Sequence, residues 1–110
     1  MTIYRLSETC AVASQIKPEE IAGLAADGFT TIICNRPDGE DFGQPTAEEI
    51  ASECAAHGIT FHFIPIDRSG LTMDMVDSFR AAVAASTGQV LAYCRSGERS
   101  SIIWQASGSP

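Results

Sequence analysis

The sequence predicts a single α/β domain built on a mostly parallel sheet flanked by helices. Apolar, β-branched runs of strand length alternate with helix-like segments along most of the chain. One run, Val90-Leu91-Ala92-Tyr93, is apolar throughout, as a central parallel strand buried on both faces requires. A length of 110 residues with 45% hydrophobic residues supports one modest core. The domain is expected to span residues 1–106, with 107–110 (Ser-Gly-Ser-Pro) as a tail or linker.

Residues 3–6 and 10–13 read as short strands. A helix is expected over about 18–26: Pro18 suits the first helical position, Glu19 and Glu20 favour the positive end of the dipole, and Gly28 stops it. Residues 29–34 form a second apolar run, followed by a turn-rich stretch over 35–45. Thr46 and Glu49 make a capping box that opens a helix to His57, with Gly58 as its stop. Residues 59–66 read as a strand. Thr72 can cap a helix whose apolar stripe is Met75, Val76, Phe79 and Val83, closed by Gly88. After the central strand, a last helix starts near Ser100 and runs to Gln105.

A formal net charge of −7 argues against nucleic-acid binding and against docking on anionic membranes, since both need clustered Lys and Arg. An anionic substrate must therefore be drawn by local positive charge. The first residues lack a charged-then-apolar export pattern, and no apolar run reaches spanning length, so a cytoplasmic location is expected. Cys10, Cys34, Cys54 and Cys94 form no Cys-x-x-Cys pair and have no matching His spacing. Free thiols are the expectation, with no metal and no cofactor.

The chemistry concentrates in the loop Cys94-Arg95-Ser96-Gly97-Glu98-Arg99. It follows the central strand and precedes a helix, so its amides and the helix N-terminus can cradle an anion and favour a thiolate. Arg95 and Arg99 add positive charge, Gly97 permits a backbone angle closed to other residues, and Ser100 can cap the helix and offer a hydroxyl to the sulfur. In such sheets ligands bind beyond the carboxyl ends of the strands, where loops 35–43, 67–71 and 94–99 should converge.

The run from Tyr93 to Ser100 resembles the active loop of single-domain rhodaneses, and the Cys-x5-Arg cradle of dual-specificity phosphatases shortened by one residue. With Ser14-Gln15, Asn35-Arg36-Pro37-Asp38-Gly39-Glu40, Gly43-Gln44-Pro45 and Ile64-Pro65-Ile66, it makes nearly the whole chain resemble the phosphatase-like domain of the beta-lactamase-hydrolase-like family. The resemblance implies a cysteine-phosphatase-type fold and either sulfurtransferase or phosphatase activity. In some members of that family the domain is fused to a persulfide dioxygenase of metallo-beta-lactamase fold, so the resemblance also implies such an enzyme as a partner. Relative to that pattern the last helix is cut short after Trp104-Gln105, as at a fragment end or a domain boundary.

Both chemistries use Cys94 as nucleophile. Four residues separate Cys94 from Arg99, one fewer than in the phosphatase cradle, and the smaller loop favours sulfane sulfur carried as a persulfide and passed to an acceptor thiol. The alternative is a phosphatase, for which Asp67, after an Ile-Pro-Ile strand, would be the general acid. A non-catalytic anion-binding module is the third reading. The catalytic candidates are Cys94, Arg99 and Asp67. The candidates for binding a small sulfur or phosphate anion are Arg95, Ser96, Gly97, Glu98, Ser100 and Arg36. Cys10, Cys34 and Cys54 read as core residues.

Overall fold

A computed structural model describes residues 1–109. Strands β1 (Ile3–Arg5), β2 (Cys10–Ala13), β3 (Phe29–Cys34), β4 (Thr60–Phe63) and β5 (Gln89–Tyr93) form one sheet in the order β1-β2-β5-β3-β4. Only β1 is antiparallel, closing a hairpin on β2. The helices are α1 (Ile21–Ala26), preceded by a 3₁₀ turn over Pro18–Glu20, then α2 (Ala47–Ala56), α3 (Met73–Ala85) and α4 (Glu98–Ser107).

Strand β5 is central, and its side chains divide between two cores. Leu91 and Tyr93 pack with Ile16, Ile21, Leu24, Ile32 and Ile50 under α1 and α2. Val90 and Ala92 pack with Ile33, Val76, Phe79 and Ile103 under α3 and α4. Burial on both faces is why this strand carries no polar residue between Val90 and Tyr93.

Local signals formed as their chemistry dictates. The Thr46 hydroxyl accepts from the Glu49 amide while the Glu49 carboxylate accepts from the Thr46 amide. Thr72 accepts from the Met75 amide. Three local expectations are corrected. Strand β4 ends at Phe63, not residue 66: Ile64 and Ile66 still donate to the neighbouring segment, but to the consecutive Cys34 and Asn35 carbonyls, so the regular two-residue step of the ladder is lost. Helix α4 starts two residues earlier than expected, at Glu98, with Gly97 at its N-cap. It also runs through Ser107, beyond the expected domain edge at 106, and Ser107 and Ser109 are buried and hydrogen-bonded to one another.

The register sets the site. Ala13 and Cys34 both pair with Tyr93, so Ser14, Cys94 and Asn35 leave the sheet side by side. No helix among the described residues is long and apolar enough to cross a membrane.

Candidate active site

Cys94 lies at the carboxyl end of β5, and its residue surface is almost wholly buried. The Gly97 amide donates to its sulfur at 3.0 Å. Burial alone would raise the thiol, but the amides of Ser100, Ser96 and Gly97, with the Ser100 hydroxyl, outweigh it and hold the thiol below its ordinary value. Burial instead pushes Cys10 and Cys34 up, and Cys54 to about 11. All four thiols are free.

Gly97 takes φ 98°, a left-handed angle that turns its amide back onto the sulfur. Ser100 is corrected from a cap to a residue inside α4. It is fully buried and donates its hydroxyl to Asn35 Oδ1 at 2.8 Å. Asn35 Nδ2 in turn donates to the Ile64 carbonyl at 3.0 Å, so a buried chain of polar contacts fixes the wall of the cradle. Ser96 contributes its amide to the sulfur and its hydroxyl to the Glu98 amide; Glu98 itself faces solvent at the rim.

Arg99 is held by a partner the sequence did not reveal. Its Nη1 and Nη2 donate to the two carboxylate oxygens of Glu40, each at 2.8 Å, and Nη1 also donates to the Ile66 carbonyl at 2.9 Å. The nearby Cys94 adds a smaller upward push on the guanidinium. Bidentate pairing of this kind fixes the plane of the fork. The hydrogen bonds from Arg99, helped by Arg36, hold the Glu40 carboxyl down at about 2, and Glu40 raises Arg99 in return.

Arg36 is corrected from substrate binding to a structural role, because its guanidinium is buried and already engaged. Nε donates to Glu40, Nη1 to Gln15 Oε1 and Nη2 to Asp41 Oδ2, at 2.7–3.0 Å. Asp41 also pairs with Arg95 at 3.4 Å, and Arg95 otherwise projects into solvent at the entrance. Gln44 closes the loop, accepting from the Glu40 amide and donating to the Pro37 carbonyl. The signal for Glu40 was its place in the turn-rich stretch after β3; its pairing with a residue 59 positions away was not.

Asp67 is exposed, and its carboxylate accepts from the Ser69 hydroxyl and the Ser69 amide, which together hold it below the usual carboxylate range. It lines a groove with Arg99, and Glu40 pairs with the same arginine, so loops 35–43, 67–71 and 94–99 meet at Arg99. The larger cavity, about 470 Å³, sits at the opposite end of the sheet between Thr9, Arg80, Gly88 and Ser109. The candidate site lies instead at the carboxyl ends of the strands, where ligands bind in such sheets. Among the described residues, no group of three His, Cys, Asp or Glu side chains converges as a metal site.

The sequence model of the phosphatase-like domain of beta-lactamase hydrolase-like proteins matches residues 3–109. The chain belongs to this family. A beta-lactamase hydrolase-like protein of Xylella fastidiosa is 33% identical over 109 residues, which cover 97% of this chain and 25% of that protein. Its counterpart in Agrobacterium fabrum is 34% identical over 99 residues, covering 90% of this chain and 23% of that protein. The chain thus spans about a quarter of the length of the curated relatives it matches. A crystal structure of a candidate phosphatase from Neisseria meningitidis matches all of this chain and 81% of its own, with a TM-score of 0.84 and 35% identity. The fold of this phosphatase-like domain is accordingly of the cysteine-phosphatase type. These findings support the phosphatase alternative better than the sulfur-transfer reading that loop length put first.

Proposed function

We propose that this domain is a cysteine-dependent phosphatase acting on phosphomonoesters. The observation that carries the reading is a thiol held toward its thiolate form by the amides of Ser96, Gly97 and Ser100, beside an arginine oriented by Glu40. The likeness to phosphatase-like relatives supports it.

In this mechanism the Cys94 thiolate attacks phosphorus, an S–P bond forms and the P–O bond to the leaving group breaks. The leaving oxygen takes a proton from Asp67. Water then breaks the S–P bond, releasing phosphate and returning the thiolate. Arg99 and the loop amides meet the equatorial oxygens. Asp67 must be protonated to serve, and the hydrogen bonds from Ser69 favour its charged form. Hydrolysis should therefore rise as pH falls, up to the point where the Cys94 thiolate takes a proton of its own.

Sulfur transfer is the second reading, favoured by two observations. The cradle has only four residues between Cys94 and Arg99, and Asp67 is tied to Ser69 as an ion. Sulfane sulfur leaves sulfite or a thiolate behind and needs no acid. An acceptor thiol, and a persulfide dioxygenase as partner, belong to this reading.

Asp67→Asn decides between them. Under the phosphatase reading it costs phosphoester hydrolysis about 10²–10⁴-fold. Efficient loading of Cys94 from thiosulfate or glutathione persulfide that ignores the substitution, with feeble hydrolysis in the unaltered chain, would install sulfur transfer instead. If the chain neither hydrolyses a phosphoester nor loads sulfur onto Cys94, the loop is an inert anion pocket.

A further inference from the structure

We infer that the groove beside Arg99 is a subsite for an apolar organic half of the substrate, and that Leu71 and Ile102 set this specificity. The inference rests on the reading of Cys94 as nucleophile. The groove encloses about 240 Å³ between Ile66, Asp67, Gly70, Leu71, Arg99 and Ile102. Single exposed aliphatic side chains are ordinary on protein surfaces. Here two of them, Leu71 at 37% and Ile102 at 48% exposure, line one groove that also holds the arginine of the anion cradle and the candidate acid.

The local structure explains the placement. Ile102 lies three residues after Arg99 on α4, so the two side chains share one helix face. Its sequence neighbours Ser101 and Trp104-Gln105 do not line the groove. The Ile66 carbonyl accepts from Arg99, which brings the segment carrying Asp67 and Leu71 against the same face. Arg99 is therefore the junction: it closes the loop that begins at Cys94, its guanidinium is fixed by Glu40 and the Ile66 carbonyl, and its flank borders the groove.

The chemistry follows from that order. An anionic head on the Cys94 loop directs the bond to the leaving group past Arg99 toward Asp67, and the body beyond that bond enters the groove. Its walls reward an apolar body, and its volume, below that of a typical drug-sized pocket, suits one ring or a short chain. A sugar or a second phosphate would lose hydration there and meet only Asp67 and Arg99 as charged partners, each already bonded, to Ser69 and to Glu40.

Paired phosphonates test this, because benzylphosphonate and methylphosphonate carry the same head and differ in the body. By calorimetry on the intact chain, benzylphosphonate should bind about tenfold more tightly, the order expected for filling an apolar pocket. Ile102→Ser and Leu71→Ser should each shrink that ratio by about threefold or more, with methylphosphonate binding and the thermal midpoint unchanged. Both positions are partly exposed, so the fold survives the change. Equal binding of the two phosphonates, or a ratio untouched in both variants, overturns the inference. If neither phosphonate binds and no phosphoester is turned over, it is the phosphatase reading that fails. The groove is then judged by persulfide loading of Cys94 from benzenethiosulfonate against methanethiosulfonate, where transfer of the sulfane sulfur releases the sulfinate. A preference for the aryl donor that is lost in the same variants upholds the subsite; no preference overturns it.

Discussion

Replacing Glu40 with glutamine keeps the side-chain shape and removes the charge that orients Arg99. The carboxylate accepts two charge-assisted hydrogen bonds from Arg99 and one from Arg36. Held down at about 2 from an ordinary 4.5, it gains at most about 3 kcal/mol from the folded surroundings. Its side chain is 30% exposed, so solvent screening reduces the working figure to about 1–2 kcal/mol. Because the folded value is depressed, this stabilisation is present above about pH 4.5 and is lost as pH falls toward about 2. Denaturant melts of Glu40→Gln should therefore show the domain less stable by about 1–2 kcal/mol at pH 7, with the gap to the unaltered chain closing at pH 3. Turnover should fall about tenfold or more at pH 7, since a loosened guanidinium meets the transition state in the wrong place. A stability gap of the same size at pH 3 and pH 7, or full turnover in the variant, would refute the assignment of Glu40 as the residue that positions Arg99.

Other perturbations probe the cradle itself. Iodoacetamide at pH 7 should modify Cys94 before Cys10, Cys34 or Cys54, because only Cys94 is held toward the thiolate form; peptide mapping of a time course gives the order, and equal labelling would argue against activation. Gly97→Ala finds room for its methyl group, with the nearest atoms at 3.6 Å, but not for its φ of 98°, so it should cost about 1–2 kcal/mol and turn the amide off the sulfur. A Cys94 thiol pKa that rises in this variant, followed by thiolate absorbance, checks the second half of that statement. Arg99→Lys should lower kcat/KM about tenfold or more, since an ammonium cannot form the bidentate pair with Glu40; rates equal to the unaltered chain would mean that the fork is dispensable. Cys94→Ser should abolish turnover with little change in thermal midpoint, because the alcohol is not ionised near neutral pH.

The sequence by itself determined the elements and marked out the loop of the proposed nucleophile. Alternating apolar runs, the Thr46–Glu49 box and the Thr72 cap are contiguous signals, and each formed its expected local contact. The Cys94 loop is contiguous too. The amides that lower its thiol come from Ser96, Gly97 and Ser100, all within six residues of the sulfur, so the strand–loop–helix order was enough to anticipate them. Tertiary structure alone decided what surrounds that loop. Glu40 reaches Arg99 and Asn35 reaches Ser100 because β3 pairs with β5 in a register that sets Cys34 beside Tyr93. Arg36 read as a free cation in a turn, and burial beside Glu40, Asp41 and Gln15 makes it a brace instead. Arg99 has an acid as close as Arg36 has, so whether an arginine is spent on the protein or left for a ligand depends on its burial as well as on its distance to an acid. That distance is fixed by strand order and register, through contacts between residues tens of positions apart in the chain.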